Sequence, residues 1–158
     1  MKLVQLQDVD AVADLLTGRF ALAGTAGEKA ALFAASARAL AAAGVGGGAG
    51  VSAYFVPGRG EILGKHTDYA GGSSIVAALE RGFCLAVHPR TDDRVRVLAV
   101  DLGVEVECAC DPELAVPQGA WTNYPLTVVR RLARNFGPGL QGADIAFASD
   151  LPAAAGMS

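Results

Sequence analysis

Apolar and polar positions alternate with period two in several short runs of this chain. In "VEVECAC", Val104, Val106, Cys108 and Cys110 fall on one side and Glu105, Glu107 and Ala109 on the other, the pattern of a strand with one buried face. "ADIAFAS" sets Ala143, Ile145 and Phe147 against Asp144, Ala146 and Ala148 in the same way. "VSAYFVPG" reads as a strand running into a Pro-Gly turn, and "RGFCLAVHPR" and "RVRVLAVD" read as two strands joined at "TDD" into a hairpin. Helical spacing takes over at residues 8–16 and 26–43, the second segment dense in strong helix formers and stopping at Gly44. A further helix is predicted in "YPLTVVRRLARNF", capped by Thr122 or Asn123, with Pro125 in its first turn. Leu126, Val129, Leu132, Ala133 and Phe136 form its apolar face, and Arg130, Arg131 and Arg134 its solvated side. Between the early helices and the strands, "GVGGGAG" reads as a flexible surface connector. Strands in neighbouring antiparallel runs, without strict strand-helix alternation, predict an α+β sandwich over a doubly wound sheet.

Composition narrows the class further. A chain of 158 residues that is 52% hydrophobic but only 6% aromatic builds its core mostly from Ala, Val and Leu, and disorder is not expected. A net charge of -3 offers no basic field for a phosphate backbone, so no nucleic-acid partner is expected. Arg, Asp or Glu interrupts every apolar run before it reaches membrane-spanning length, so no membrane partner is expected. Asp8 and Asp10 stand where a signal peptide has its apolar core, which makes the expected location cytoplasmic. Cys108 and Cys110 are read as core residues of their strand, because no His or further Cys lies at zinc-site spacing. No metal ligand is assigned within the chain.

The chemistry concentrates in "PGRGEILGKHTDYAGG", Pro57 to Gly72. Its glycines and Gly-Lys pair imitate a nucleotide phosphate loop, but five residues separate Gly58 from Gly64 where that loop has four, and His66 occupies the hydroxyl position. The dinucleotide fingerprint fails too, with one residue too many before its last glycine. What remains is a cluster of Arg59, Glu61, Lys65, His66, Asp68 and Tyr69 spaced by glycines. The plain alternative is a polar surface turn in which Arg59 pairs with Asp68 and Lys65 with Glu61. As a binding site, its mixture of donors and acceptors suits a polyol, whose hydroxyls need both.

This stretch resembles the galactokinase signature P-G-R-[VI]-N-[LI]-[IL]-G-E-H-T-D-Y-[NS]-x-G of the GHMP small-molecule kinases, including the unbroken run His66 to Tyr69. Two further features follow in family order: "WTNY", similar to W-x-N-Y, and the closing "DLPAAAGMS", similar to the start of the phosphate loop P-x-G-x-G-L-S-S-S. The resemblance runs from about Ser52 to Ser158. It implies an α+β GHMP kinase N-terminal domain, a ribosomal-S5-domain-2-like two-layer sandwich incomplete at its C-terminus. Residues 1–50 would form a helical segment and linker, and residues 51–158 the kinase domain, with a sugar loop at 57–72 and the start of the ATP phosphate loop at 151–158.

Roles follow from the resemblance residue by residue. Arg59 matches the arginine beside the reacting sugar hydroxyl, the catalytic position in this chain. Lys65, His66, Asp68 and Tyr69 match the sugar-binding stretch, with His66 and Asp68 on sugar hydroxyls. Trp121 matches an aromatic residue near the nucleotide base. Pro152, Ala153, Ala154, Ala155, Gly156, Met157 and Ser158 match the loop that cradles the phosphates of ATP, the co-substrate, which is accompanied by Mg2+. The implied reaction is phosphorylation of galactose or a related sugar at its anomeric hydroxyl. A non-catalytic sugar and nucleotide sensor of the same type is the alternative reading. A structural or RNA-binding module of the same fold is the second rival, disfavoured by the acidic charge.

The sequence departs from the family pattern in three places. Lys65 replaces the family glutamate, exchanging an acceptor of sugar hydroxyl protons for a donor-only cation, which points to a carboxylate-bearing sugar such as a uronic acid unless Glu61 neutralises it. "AAAGM" carries fewer glycines than the family's phosphate loop. The chain also stops at the first serine of that loop, so the family's catalytic aspartate has no counterpart here, and neither Asp144 nor Asp150 lies in its motif. The expectation is an N-terminal fragment that is not competent alone.

Overall fold

The computed structural model describes residues 1–20, 24–64, 66–137 and 139–152, with Asp68 described by its backbone only. Three helices lead the chain: α1 (Leu3–Leu6), α2 (Val9–Phe20) and α3 (Ala26–Ala42). Four strands follow, β1 (Ser52–Leu63), β2 (Ile75–Pro89), β3 (Arg94–Ala99) and β4 (Val104–Ala109), then helix α4 (Asn123–Phe136) and strand β5 (Ala143–Ser149). The strands form one open sheet in the order β1-β2-β5-β3-β4. Helices packed against a largely antiparallel sheet give the α+β sandwich that the pattern predicts.

The predicted hairpin between the second and third strands does not form. β5 inserts between them, antiparallel to β2 and parallel to β3. Charge at the "TDD" turn accounts for the separation. Buried Asp144 at the start of β5 accepts from Arg90 at 3.0 Å and from Arg96 at 2.9 Å, so arginines on either side of the turn close on the inserted strand. Arg90 also holds Asp92. Arg96 reaches on to the carbonyl of Ala43 at 2.9 Å and ties the end of α3 to the sheet.

Small side chains bring α3 close to the sheet. Ala30, Ala34 and Ala37 of α3 and Cys84, Ala86, Ala146 and Ala148 of the sheet are all fully buried, with Leu3, Leu6, Phe33 and Leu40 filling the rest of this core. Without bulky residues at the contact, helix and sheet approach until backbone lies near backbone. The glycine-rich stretch is no loose connector. Val45 is buried, and the carbonyls of Gly47 and Ala49 each accept from an amide of α1 at 3.0 Å.

On the opposite face, α4 covers β3 and β4 with Leu126 and Val129, which pack on Cys108, Val95 and Val106. Cys108 is therefore a core residue, as its alternation predicts. Leu132 and Phe136 are exposed, contrary to the predicted face. Leu132 lies well round the helix from Leu126, Val129 and Ala133, and Phe136 ends it. Thr122 makes no side-chain cap. The Asn123 carboxamide accepts instead from the Thr127 hydroxyl at 2.9 Å. Of the three arginines, Arg131 and Arg134 are exposed, while Arg130 is half-buried and its Nε has no hydrogen-bond partner.

Candidate functional site

The stretch from Pro57 to Gly72 does not begin at a strand end. β1 runs through Pro57-Gly58 to Leu63, so Arg59 and Glu61 are strand residues, two apart and on one face. The turn signal gives way to an irregular pairing: Pro57 stands opposite Gly82, but Arg59 already stands opposite Ala78. Leu79, Glu80 and Arg81 consequently bow out of the β1–β2 ladder. They line a cavity of about 510 Å³ together with Thr25 and Glu28 at the start of α3 and Asp150 and Pro152 after β5. A second cavity of about 560 Å³ lies apart, between α2 and the start of β1, with mainly apolar walls.

Beyond β1 the chain closes a compact loop around Thr67. The Thr67 hydroxyl lies 2.7 Å from the carbonyl of Gly64 and 3.0 Å from that of Ser73, and the Thr67 carbonyl accepts from the Gly72 amide at 2.8 Å. Gly64 is required here, because its φ is +88° and a Cβ would stand 2.6 Å from the Ser73 carbonyl. His66 adopts φ 63°, a left-handed conformation rare for a residue with a side chain, and its exposed ring stacks on Tyr69 with centroids 5.5 Å apart. Asp68 lies in the helical turn Thr67–Ala70.

Arg59, His66 and Tyr69 are thus presented to solvent on one projecting strand and its loop. Neither Arg59 nor Glu61 forms an ion pair among the described residues. Lys65 and residues 153–158 lie outside the described residues. Pro152, the first residue of the proposed phosphate segment, is exposed beside the bowed-out strand. Trp121 is half-buried in the turn before α4, where its carbonyl accepts from the Tyr124 amide at 3.2 Å.

Residues outside the predicted set organise this region. Lys29 of α3 is fully buried, forms an ion pair with Asp150, and lies over the Phe55 ring at 5.1 Å from its centroid. The other oxygen of Asp150 accepts from the Gly82 amide at 2.8 Å. Burial alone would raise the Asp150 carboxyl, but the bonds from Lys29 and Gly82 and the charge of Lys29 outweigh it and hold the group below its usual range. The Ser149 hydroxyl donates to the Gly82 carbonyl at 3.0 Å, and its oxygen accepts from the Leu151 amide at 3.1 Å. The sequence signals were present: Lys29 sits on the helix stripe of Phe33, Ser36 and Leu40, and Thr67 lies inside the unbroken His-Thr-Asp-Tyr run. Asp144 and Asp150 are both engaged in ion pairs.

Residues 47–89 match the model of the galactokinase galactose-binding signature. The galactokinase of Roseiflexus sp. strain RS-1 is 44% identical over 102 residues, covering 65% of this chain and 26% of its own length. Among solved structures, the galactokinase of Lactococcus lactis complexed with galactose superimposes with a TM-score of 0.58 at 28% identity, over 68% of this chain and 28% of that one. The mevalonate kinase of Methanococcus jannaschii shares the fold with a TM-score of 0.55 at 14% identity, over 68% of this chain and 35% of its own. The architecture is that of the GHMP kinase N-terminal domain. Within that superfamily the chain belongs to the galactokinase-like group, and it spans about a quarter of the length of the galactokinases it matches.

Proposed function

We propose that this chain supplies the sugar-binding stretch and opens the phosphate-binding segment of an ATP-dependent sugar kinase acting on the anomeric hydroxyl of galactose or a related sugar. One observation carries the reading. The root of the sugar stretch at Pro57 and the root of the phosphate segment at Ser149–Asp150 lie on strands flanking β2 and converge on Gly82. Two interstrand spacings set those roots about 10 Å apart, a distance that a sugar and a terminal phosphoryl group laid over β2 would span.

In this reading Arg59 directs its cation at charge that develops on the transferring phosphoryl group. His66, Asp68 and Tyr69 hold sugar hydroxyls, and Lys65 selects among sugars. Residues 152–158 receive the phosphates of ATP, and Trp121 packs near its base. Mg2+ enters with the nucleotide, where it neutralises phosphate charge. Residues 1–50 serve as a support whose helix α3 backs the sheet. With Asp144 and Asp150 both engaged in ion pairs, the chain is expected to bind sugar without releasing ADP. Calorimetric titration of the 158-residue chain with galactose, galacturonate and glucuronate tests this. Saturable binding of at least one sugar that Arg59→Ala or Asp68→Ala weakens about tenfold is the expected result, one charge-assisted hydrogen bond's worth. No binding of any of the three would overturn the proposal. A preference for galactose that Lys65→Glu leaves unchanged would remove the role given to Lys65.

A further inference from the structure

Lys29 lies far in sequence from every motif, yet it is the buried charge nearest the junction of the two stretches. Its ammonium has no water to solvate it and is held by Asp150 and the Phe55 ring. Asp150 in turn holds the amide of Gly82, and Ser149 holds the carbonyl of the same residue. Gly82 has no room for a side chain: a Cβ there would meet the Val56 carbonyl at 2.3 Å and Pro57 Cα at 2.8 Å. A chain of contacts therefore runs from α3 through Asp150 to Gly82 and into the root of the sugar stretch. Asp150 is also two residues before Pro152, so whatever fixes Asp150 fixes the direction in which the chain leaves β5. A salt bridge kept only for stability has no need of this address, since a well-packed apolar pair of similar volume serves stability as well.

We infer that Lys29 is a positioning residue: by anchoring Asp150 against Gly82 it sets where the phosphate segment starts relative to the sugar stretch. The inference rests on the reading above that residues 152–158 receive phosphate, but its structural half can be tested without any ligand. Three variants of the 158-residue chain decide it: Lys29→Met, Lys29→Arg, and the double change Lys29→Met with Asp150→Leu. The double variant removes both charges, so it keeps the experiment open should Lys29→Met fail to fold. The first readout is amide exchange at Leu151, whose amide bonds to Ser149 and to neither altered side chain, compared with Val97 in β3. The second is the affinity for Mg-ATP.

Loss of one hydrogen-bonded anchor should speed Leu151 exchange about fivefold or more while Val97 is unchanged. Lys29→Arg should restore most of the protection. The double variant should recover the melting temperature but neither the Leu151 protection nor the Mg-ATP affinity. Wild-type Leu151 exchange in the double variant would overturn the inference, as would parallel changes at Leu151 and Val97 in every variant. If the wild-type chain binds no Mg-ATP, the functional reading fails at that point, and the exchange data still decide whether Lys29 positions the segment.

Discussion

Replacing Gly82 with alanine tests whether the junction of β1, β2 and β5 is as closely packed as its geometry indicates. The added methyl would lie 2.3 Å from the Val56 carbonyl oxygen, 2.8 Å from Pro57 Cα and 2.9 Å from the Phe55 ring. A carbon rests against a carbonyl oxygen at about 3.3 Å or more, so β1 must withdraw by roughly 1 Å at Val56 and Pro57. Overpacking of this kind costs about 1–3 kcal/mol. Any part of the shift taken up by Gly82 itself strains its bonds to Asp150 and Ser149, each worth about 1 kcal/mol. Together these give a destabilisation of about 2–4 kcal/mol, or roughly 5–15 °C in Tm for a chain of this size. Gly48→Ala is the control, because nothing lies within 4 Å of its added Cβ. Both variants share the same gain of about 0.4–1 kcal/mol from a stiffer unfolded chain, which the comparison cancels. Urea unfolding followed by circular dichroism, with m unchanged, measures the difference. If the two variants agreed within about 0.5 kcal/mol, the close approach at Gly82 would be refuted.

Asp144→Ala should cost about 3 kcal/mol in the same assay, because it takes from the half-buried Arg96 its only ion-pair partner among the described residues and leaves Arg90 to Asp92 and Glu107; a cost under about 1 kcal/mol would mean that the arginines find solvent. Asp150 titrates below its usual range in the folded chain, so the folded state binds fewer protons than the unfolded chain near pH 4. Its contribution is full above about pH 5 and lost as pH falls through the depressed value, so wild-type stability should fall more steeply between about pH 5 and pH 3 than that of Asp150→Asn. Burial pushes the Cys84 thiol up to about 12, with the charge of Lys29 opposing and that of Asp150 adding to it. At pH 8 roughly one molecule in ten thousand carries the thiolate, so a disulfide reagent should modify half-buried Cys110 first and reach Cys84 only on unfolding.

Local periodicity carried much of the fold. The second and third long helices and the strands at Arg94, Val104 and Ala143 stand where spacing alone puts them, because each buries one face and the period of apolar residues reports that face directly. Strand order was not legible. Whether Arg90 closes a hairpin or clamps an inserted strand depends on Asp144, more than 50 residues away, and no local pattern encodes that pairing. The Pro57-Gly58 signal misled for a related reason: dipeptide turn chemistry is a local preference, and the pairing of β1 with β2 on both sides of it overrides that preference. At the site, residue identity exposed the stretch around His66, while the residues that hold it in place stayed hidden. Lys29 looks like a surface lysine until its helix is docked against the sheet, and only then does the position of its side chain on the Phe33 and Leu40 stripe imply burial.

That difference bears on how the site is built. The residues that face solvent around His66 lie on a loop closed by Thr67 through hydrogen bonds no further than Gly64 and Ser73, so the loop can keep its own shape wherever it is placed. Its position relative to the chain leaving β5 is a separate matter, decided by the register of three neighbouring strands and by what Gly82 touches. Phosphoryl transfer depends on the second quantity more steeply than on the first, since a shift of about 1 Å between donor and acceptor costs on the order of a hundredfold in rate. If the chain works as proposed, substitutions within the loop should therefore change which sugar is held, whereas substitutions at Gly82, Asp150 or Lys29 should change how well a held sugar meets the nucleotide. On the proposed reading, a change at Lys65 should alter sugar preference without disturbing the junction, because the buried ion pair of Lys29 with Asp150 lies on the far side of Pro57 from the loop.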